Sequence, residues 1–364
     1  MKHSLVVTLL GFGGVLCAGN AMAYDGAPAS APPLEEKSPF SFYGDLRLRW
    51  ESDWDSRMPN GVKREDRDRF RLRARLGIKF DFSPSLSFDA RIRTGDNNSQ
   101  QSPHITIWQD NGDEGDQHDI TLDRAYLRLK LNDQTTITGG RTGLLLWKPN
   151  EMFWDDDVYV DGAGISHAFG ANSAWKLTAQ VALLPDGDAS LSLDERSPMA
   201  AIQLRRDITC GVNELTLAQS FLFIEDNSHA FNAVNDDMNS LFSYTNAQYT
   251  INKGSSVPVK IGADIMFNLQ HGPAGDHPDD RFGFDAYVSA GRYRDPGDWT
   301  LGYAFARIER WSVPRFLAQD DWVRWGSATQ TRSSDFYGHE LSAGYVLADN
   351  VKLLGRLFVA DAIT

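Results

Sequence analysis

The sequence predicts an all-β protein, an up-and-down antiparallel transmembrane β-barrel of about 16 strands. Three observations carry this expectation. Apolar residues recur at every second position in one segment after another, the positions between them are polar or charged, and short turns alternate with long polar connections. Period two belongs to strands, because successive strand side chains point to opposite faces.

The chain opens with basic Lys2 and His3, an apolar stretch from Leu5 to Leu16, and the small-x-small triplet Ala21-Met22-Ala23. Residues 1–23 therefore read as a secretory signal peptide cut after Ala23, not as a spanning helix. Cys17 is a poor lipid-attachment site, since Leu16 stands where a small residue is expected. Removal of this leader leaves Cys210 as the only cysteine, so the mature chain has no internal disulfide.

The net charge is −13, and −14 once Lys2 leaves with the leader. That sign excludes nucleic acid as a partner. No later run of 18 apolar residues exists to form a membrane helix. A hydrophobic fraction of 41% and a mean hydropathy of −0.39 would suit a soluble protein too. A barrel has the same composition, because only alternate strand residues touch lipid. Patterning has to decide.

A Pro- and Ala-rich linker over residues 24–39 leads into the barrel, residues 40–364. In "FSFYGDLRLRW", Phe40, Phe42, Leu46, Leu48 and Trp50 face one way and Asp45, Arg47 and Arg49 the other. "RFRLRARLGIKF" follows, with Phe70, Leu72, Ala74, Leu76, Ile78 and Phe80 opposite its arginines. "LSFDARIRTG" sets Leu86, Phe88, Ala90 and Ile92 against Asp89, Arg91 and Arg93. "RAYLRLKL" sets Ala125, Leu127, Leu129 and Leu131 against Arg124, Tyr126, Arg128 and Lys130. Later stripes carry fewer charges: Trp175 to Leu183, Val257 to Leu269, Phe282 to Ala290 and Leu341 to Leu347. Residues 155–169, 199–206 and 239–250 are weaker strand segments.

Tight turns rich in Asn, Asp, Gly, Pro and Ser are expected at 83–85, 132–133, 170–172, 207–211, 252–254, 294–298 and 348–350. Long polar excursions lie between them at 52–68, 96–119, 185–196, 225–237, 270–280 and 310–334. Such alternation suits a barrel with turns on one rim and loops on the other. The apolar stripes go to lipid. An Arg on the lipid face costs about 2–4 kcal/mol at the midplane, so slipping the second strand by one residue is strongly disfavoured.

The stretches "GDLRLRWE", "RDRFRLRARLGIKFDFSPSLSFDARIRTGD", "ITLDRAYLRLKL" and "GGRTGLLLWKPNEMFWDDDVYVDGAGISHAF" resemble the bacterial putative porins of the outer membrane. Alginate-export barrels also have arginine-lined bores but have more strands. The resemblance implies a passive channel of roughly 16 strands in the outer membrane and assigns no substrate. The expected partners are outer-membrane lipid, small anionic or polar solutes drawn by the arginines, and two further copies in a homotrimer, as is common among porins of this size. One departure stands out: the chain stops at "RLFVADAIT" without a terminal aromatic. The strand count reaches 15, so one returning strand is expected to be missing and an edge to lie open on residues 351–359.

Arg47, Arg49, Arg69, Arg71, Arg73, Arg75, Arg91, Arg93, Arg124 and Arg128 fall on the predicted lumen side of four sequential strands. They form one basic wall, able to attract anions and to bind carboxylate or phosphate through paired hydrogen bonds. Glu151, Asp155, Asp156, Asp157 and Asp161 of "NEMFWDDDVYVDG" face them if that loop folds inward, giving a transverse field across a constriction. Otherwise they are solvated or pair with the wall.

No cofactor is implied. The carboxylates of "QDNGDEGDQHD" (Asp110, Asp113, Glu114 and Asp116) suit Ca²⁺, though their spacing departs from an EF-hand. His104, His118, His229, His271 and His277 would be candidates for a barrel enzyme, but no nucleophile motif accompanies them. The expected function is thus passive diffusion of small hydrophilic, anionic solutes. Alternatives are a specific export or uptake barrel for an acidic polysaccharide or carboxylate, a barrel enzyme, and a non-conducting structural barrel.

Overall fold

The apolar stripes read from the sequence lie on the outside of the folded chain. Leu76, Ile92, Leu127, Leu177, Ile261, Leu301 and Leu341 are exposed, while Arg73, Arg93, Asp123, Gln180 and Asn246 are buried. This inside-out pattern is that of a barrel wall with lipid on one face and a polar lumen on the other.

The computed structural model describes residues 2–11, 38–57, 62–95, 101–110, 119–184, 196–225, 239–324 and 333–363. Its strands are β1 (Lys2–Gly11), β2 (Phe40–Trp54), β3 (Arg67–Asp81), β4 (Leu86–Thr94), β5 (Ile105–Gln109) and β6 (Ile120–Lys130). There follow β7 (Thr135–Gly143), β8 (Tyr159–Phe169), β9 (Trp175–Leu183), β10 (Pro198–Cys210), β11 (Asn213–Ile224) and β12 (Ser240–Ile251). The chain ends with β13 (Val259–Asn268), β14 (Phe282–Gly291), β15 (Trp299–Ile308), β16 (Phe336–Ala348) and β17 (Val351–Ala362). No helix among the described residues is long and apolar enough to cross a membrane.

All pairings are antiparallel between neighbours. β4 and β5 share one place beside β3: β4 pairs with residues 75–81 and β5 with residues 69–72. β17 and β2 run in the same direction, so an antiparallel ring requires one strand between them. β1 takes that place, pairing with both. The expected barrel, one strand short of sixteen, is therefore β2–β4 and β6–β17, and residues read as leader cover the edge expected to be open. A leader cut after Ala23 would take β1 away, so the two readings of Lys2–Gly11 exclude each other in the mature protein.

The turns follow local chemistry. Asn252 and Asn350 adopt left-handed backbone at two of the tight connections, with φ of 51° and 64°. The turn expected at 207–211 is shorter, because β10 runs on to Cys210 and only Gly211 and Val212 separate it from β11. Gly77 is needed for contact: the Tyr43 ring lies where its side chain would be. The core occupies part of the lumen, where residues 144–158 and 309–324 fold inside the barrel.

Candidate functional site

β2 and β3 pair with Arg47 opposite Arg73 and Arg49 opposite Arg71, so four arginines form a square on the lumen face. Arginines this close are costly to bury unless opposite charge is near. The same strands supply it. Glu51 accepts from Arg71 Nη1 at 3.1 Å, lies 2.7 Å from Arg49 Nε and also pairs with Arg69. Asp45 takes Arg73 Nη2 at 3.0 Å and Arg75 Nε at 2.6 Å. Asp123 pairs with Arg91 and Arg93, and Asp89 accepts from Arg124 Nε at 2.8 Å. A register shift beside Arg91 lets both Asp123 and Arg124 face inward.

Most of these arginines are thus paired with carboxylates of the same wall. Arg128 stands apart from it, exposed and with its guanidinium 5.6 Å from the Tyr126 ring. Arg47 has neither hydrogen bond nor ion pair among the described residues, and its Nε is buried.

Residues 144–158 cross the lumen, and their attachments explain the path. Gln180 of β9 holds Leu145 N at 2.9 Å, and Gln203 of β10 both accepts from Trp147 N and donates to Trp147 O at 2.8 Å. The Asn150 amide donates to Asp264 at 3.0 Å and to Asp285 at 2.8 Å. Phe153 then stacks on Tyr244 at 4.3 Å, and Trp154 is fully buried. Beyond these aromatics the segment reaches the arginines, where Asp157 accepts from Arg73 Nη1 at 3.0 Å and from Arg75 Nη1 at 2.9 Å.

Residues 309–324 make a second inward loop by the same logic. Trp322 packs 5.5 Å from both Phe336 and Phe358, and Leu317 is buried beside them. Asp321 then accepts from Arg49 at 2.6 Å and Arg356 at 2.7 Å, while Glu340 holds Arg356 at 2.8 and 3.0 Å. Backbone hydrogen bonds join the two loops, Asp155 N to Leu317 O at 2.7 Å and Gln319 N to Glu151 O at 3.1 Å.

Between the loops and the wall lies a cavity of about 510 Å³. Arg47, Arg49, Arg73 and Arg75 line one side, and Glu151, Asp155 and Asp321 another. Burial, reinforced by the charge of Asp156, pushes the Glu151 carboxyl up to about 7. Burial and the neighbouring Glu151 push Asp155 well above its ordinary value. Asp321 behaves oppositely: against the cost of burial, Arg49 and Arg356 hold it well below the usual carboxylate range.

The five acids singled out in the sequence separate in the fold. Glu151 and Asp155 face the cavity, Asp157 is spent on the arginines, and Asp156 is exposed beside Lys148. Asp161 is not in the loop at all: it sits on β8 and pairs with Arg141 and Arg196. Asp321, Glu340 and Arg356 were missed. The signal for Asp321 was "DDW" at 320–322, which repeats the aromatic and acidic texture of "FWDDD" at 153–157.

His104, one of the histidines considered for a barrel enzyme, is buried on the cavity wall, 8% exposed. His271 and His277 are exposed beside Asp279 and Asp280, while His118 and His229 lie outside the described residues. Of the acids considered for Ca²⁺, Asp113, Glu114 and Asp116 also lie outside them. Among the described residues, no group of three or more His, Cys, Asp or Glu is placed to hold a metal.

Comparison with known proteins agrees with this architecture. Residues 50–185 match the model of the putative porin family. No curated protein matches the chain. Among solved structures it is similar to Pseudomonas putida OprB in its high-pH form, at 10% identity and a TM-score of 0.50, covering 99% of this chain and 93% of OprB. A BenF-like porin from Pseudomonas fluorescens Pf-5 aligns at 10% identity and a TM-score of 0.41, over 99% and 97% of the two chains. An engineered Rhodopseudomonas blastica porin aligns at 10% identity and 0.43, over 99% and 98%. The OprB likeness bears on fold alone. Residues 50–185 thus match the putative porins, and the chain has the β-barrel fold of a porin.

Proposed function

We propose that this protein is a diffusion channel for small hydrophilic solutes, with a preference for anions, and that it does no covalent chemistry. One observation carries the reading: two loops cross the lumen and leave a polar cavity of about 510 Å³ with arginines on one side and carboxyls on the other. A low-dielectric bore of this kind focuses the field of its charges on whatever passes. Most wall arginines are already paired. Net preference therefore rests on Arg47, which is not, and on Glu151 and Asp155, whose burial favours their neutral forms.

Planar-bilayer recording of the purified protein tests this. Discrete conductance steps are expected, with a reversal potential of anion-preferring sign under a KCl gradient. Absence of steps would remove the channel, and a cation-preferring potential would remove the role given to the arginines. The intact mass of the same preparation shows whether residues 1–23 remain.

A further inference from the structure

We propose that Arg47 and His104 form a discrete binding site for a compact oxyanion, a carboxylate or a phosphate, on the arginine side of the cavity. The inference deepens the channel reading and rests on it for its biological sense, since the site lies on the path a solute would take.

The starting point is a set of buried donors that no acceptor among the described residues satisfies. Arg47 points from β2 into the cavity with no partner among the described residues. The Nε–H of Arg73, on the same cavity, is likewise buried and unaccepted, although its Nη atoms are engaged. His104 is 8% exposed and neither of its ring nitrogens has a partner. Buried polar groups left unpaired are rare, and several around one cavity call for a missing counterpart.

The geometry holds His104 there. Arg71 Nη2 donates to Ser102 Oγ at 2.8 Å and to the His104 carbonyl at 3.3 Å, which ties residues 102–104 to the wall. Burial, together with the charges of Arg71, Arg49, Arg47 and Arg73, keeps the imidazole neutral. A neutral imidazole offers one N–H donor.

The counterpart is an anion rather than water for two reasons. The unsatisfied arginine groups are all donors, and an ionised oxyanion is an acceptor only, whereas water brings donors of its own. The charge balance points the same way. Asp157, the acid that acts most strongly on Arg47, is shared between Arg73 and Arg75, and burial raises the Glu151 carboxyl across the cavity to about 7. No acid among the described residues holds Arg47 by a hydrogen bond or ion pair, and its guanidinium suits two parallel hydrogen bonds with one oxyanion.

Titration calorimetry of the detergent-solubilised full chain with sodium acetate and, separately, sodium phosphate tests the site without requiring conduction. Saturable binding of acetate, of phosphate or of both is expected, and the arm that binds names the chemistry. Arg47→Gln and His104→Gln should each weaken it by about tenfold or more, as loss of a charge-assisted or buried hydrogen bond does. Arg47→Lys should recover part of the loss. The heat-resistant barrel band of each variant on a gel checks that it folds. No saturable heat with either salt, or full affinity in Arg47→Gln, would overturn the site. Binding without conductance steps would keep the site and sink the channel; steps without binding would do the reverse.

Discussion

The wall from β2 to β8 and the wall from β10 to β17 meet one lumen with opposite chemistry. The first presents arginines interleaved with Asp45, Glu51, Asp89 and Asp123. The second, toward its loop end, presents Leu222, Ile224, Phe242, Met266, Ile308, Phe336 and Phe358. Each inward loop is built to span the two. Phe153 and Trp154, or Leu317 and Trp322, bind the apolar wall, and Asp157 or Asp321 binds the arginines. Hydrophobic burial thus supplies adhesion on one side, and ion pairs supply position on the other.

The strongest way to break this comparison is on the apolar side. Phe153 is fully buried and Trp322 is 4% exposed, so replacing both by Ala should cost about 3–5 kcal/mol at each site. The barrel strands keep their own pairings, so the expected result is released loops and a several-fold rise in single-channel conductance. Unchanged conductance would place the constriction elsewhere.

On the charged side the effect should be smaller in conductance and larger in selectivity. Asp157→Asn removes a carboxylate shared by Arg73 and Arg75, and breaking such a buried pair costs about 3–5 kcal/mol. Asp45 still holds both arginines, but their net charge is less balanced, so the reversal potential should move toward stronger anion preference. An unmoved potential would show that the loop acids do not set selectivity.

The smallest expected effect is a titration. Glu151 has Asp155, Asp156 and Asp321 as acidic neighbours and Lys148 and Arg356 as basic ones, and burial raises it from 4.5 to about 7. Raising the pH from about 5.5 to about 8.5 converts it from neutral to charged, so anion preference should fall through this range and Glu151→Gln should flatten the profile. The sign for stability follows. The folded state holds the proton more tightly than the unfolded one, so this contribution is full below pH 4.5 and is lost as pH rises through about 7. Thermal unfolding of Glu151→Gln against the parent at both ends of the range measures it.

Much of the charged half was legible in the sequence because its strands keep a strict alternation. In β3 the arginines at 69, 71, 73 and 75 are separated by single apolar residues, and the fold seats them on the lumen face as that pattern requires. The apolar half was less legible. Segments such as "FLFI" at 221–224 and "IMF" at 265–267 are apolar on both faces, so alternation there no longer tells lipid from lumen. Leu222, Ile224 and Met266 point inward because loops arrive to cover them. Asp161 was misplaced for a related reason: continuous acidic spacing hid the point at Tyr159 where the loop ends and β8 begins.

By itself, then, the sequence determined the barrel, its strand order, the lipid face and the presence of an arginine wall, because period-two patterning and turn chemistry are local properties of the chain. Only the tertiary structure decided how that wall is neutralised, which two loops fold inward, and that Arg47 and His104 remain without partners. Those outcomes depend on residues far apart in the chain meeting across the lumen, as Arg49 meets Asp321 and Asn150 meets Asp264, and no local pattern encodes such a meeting.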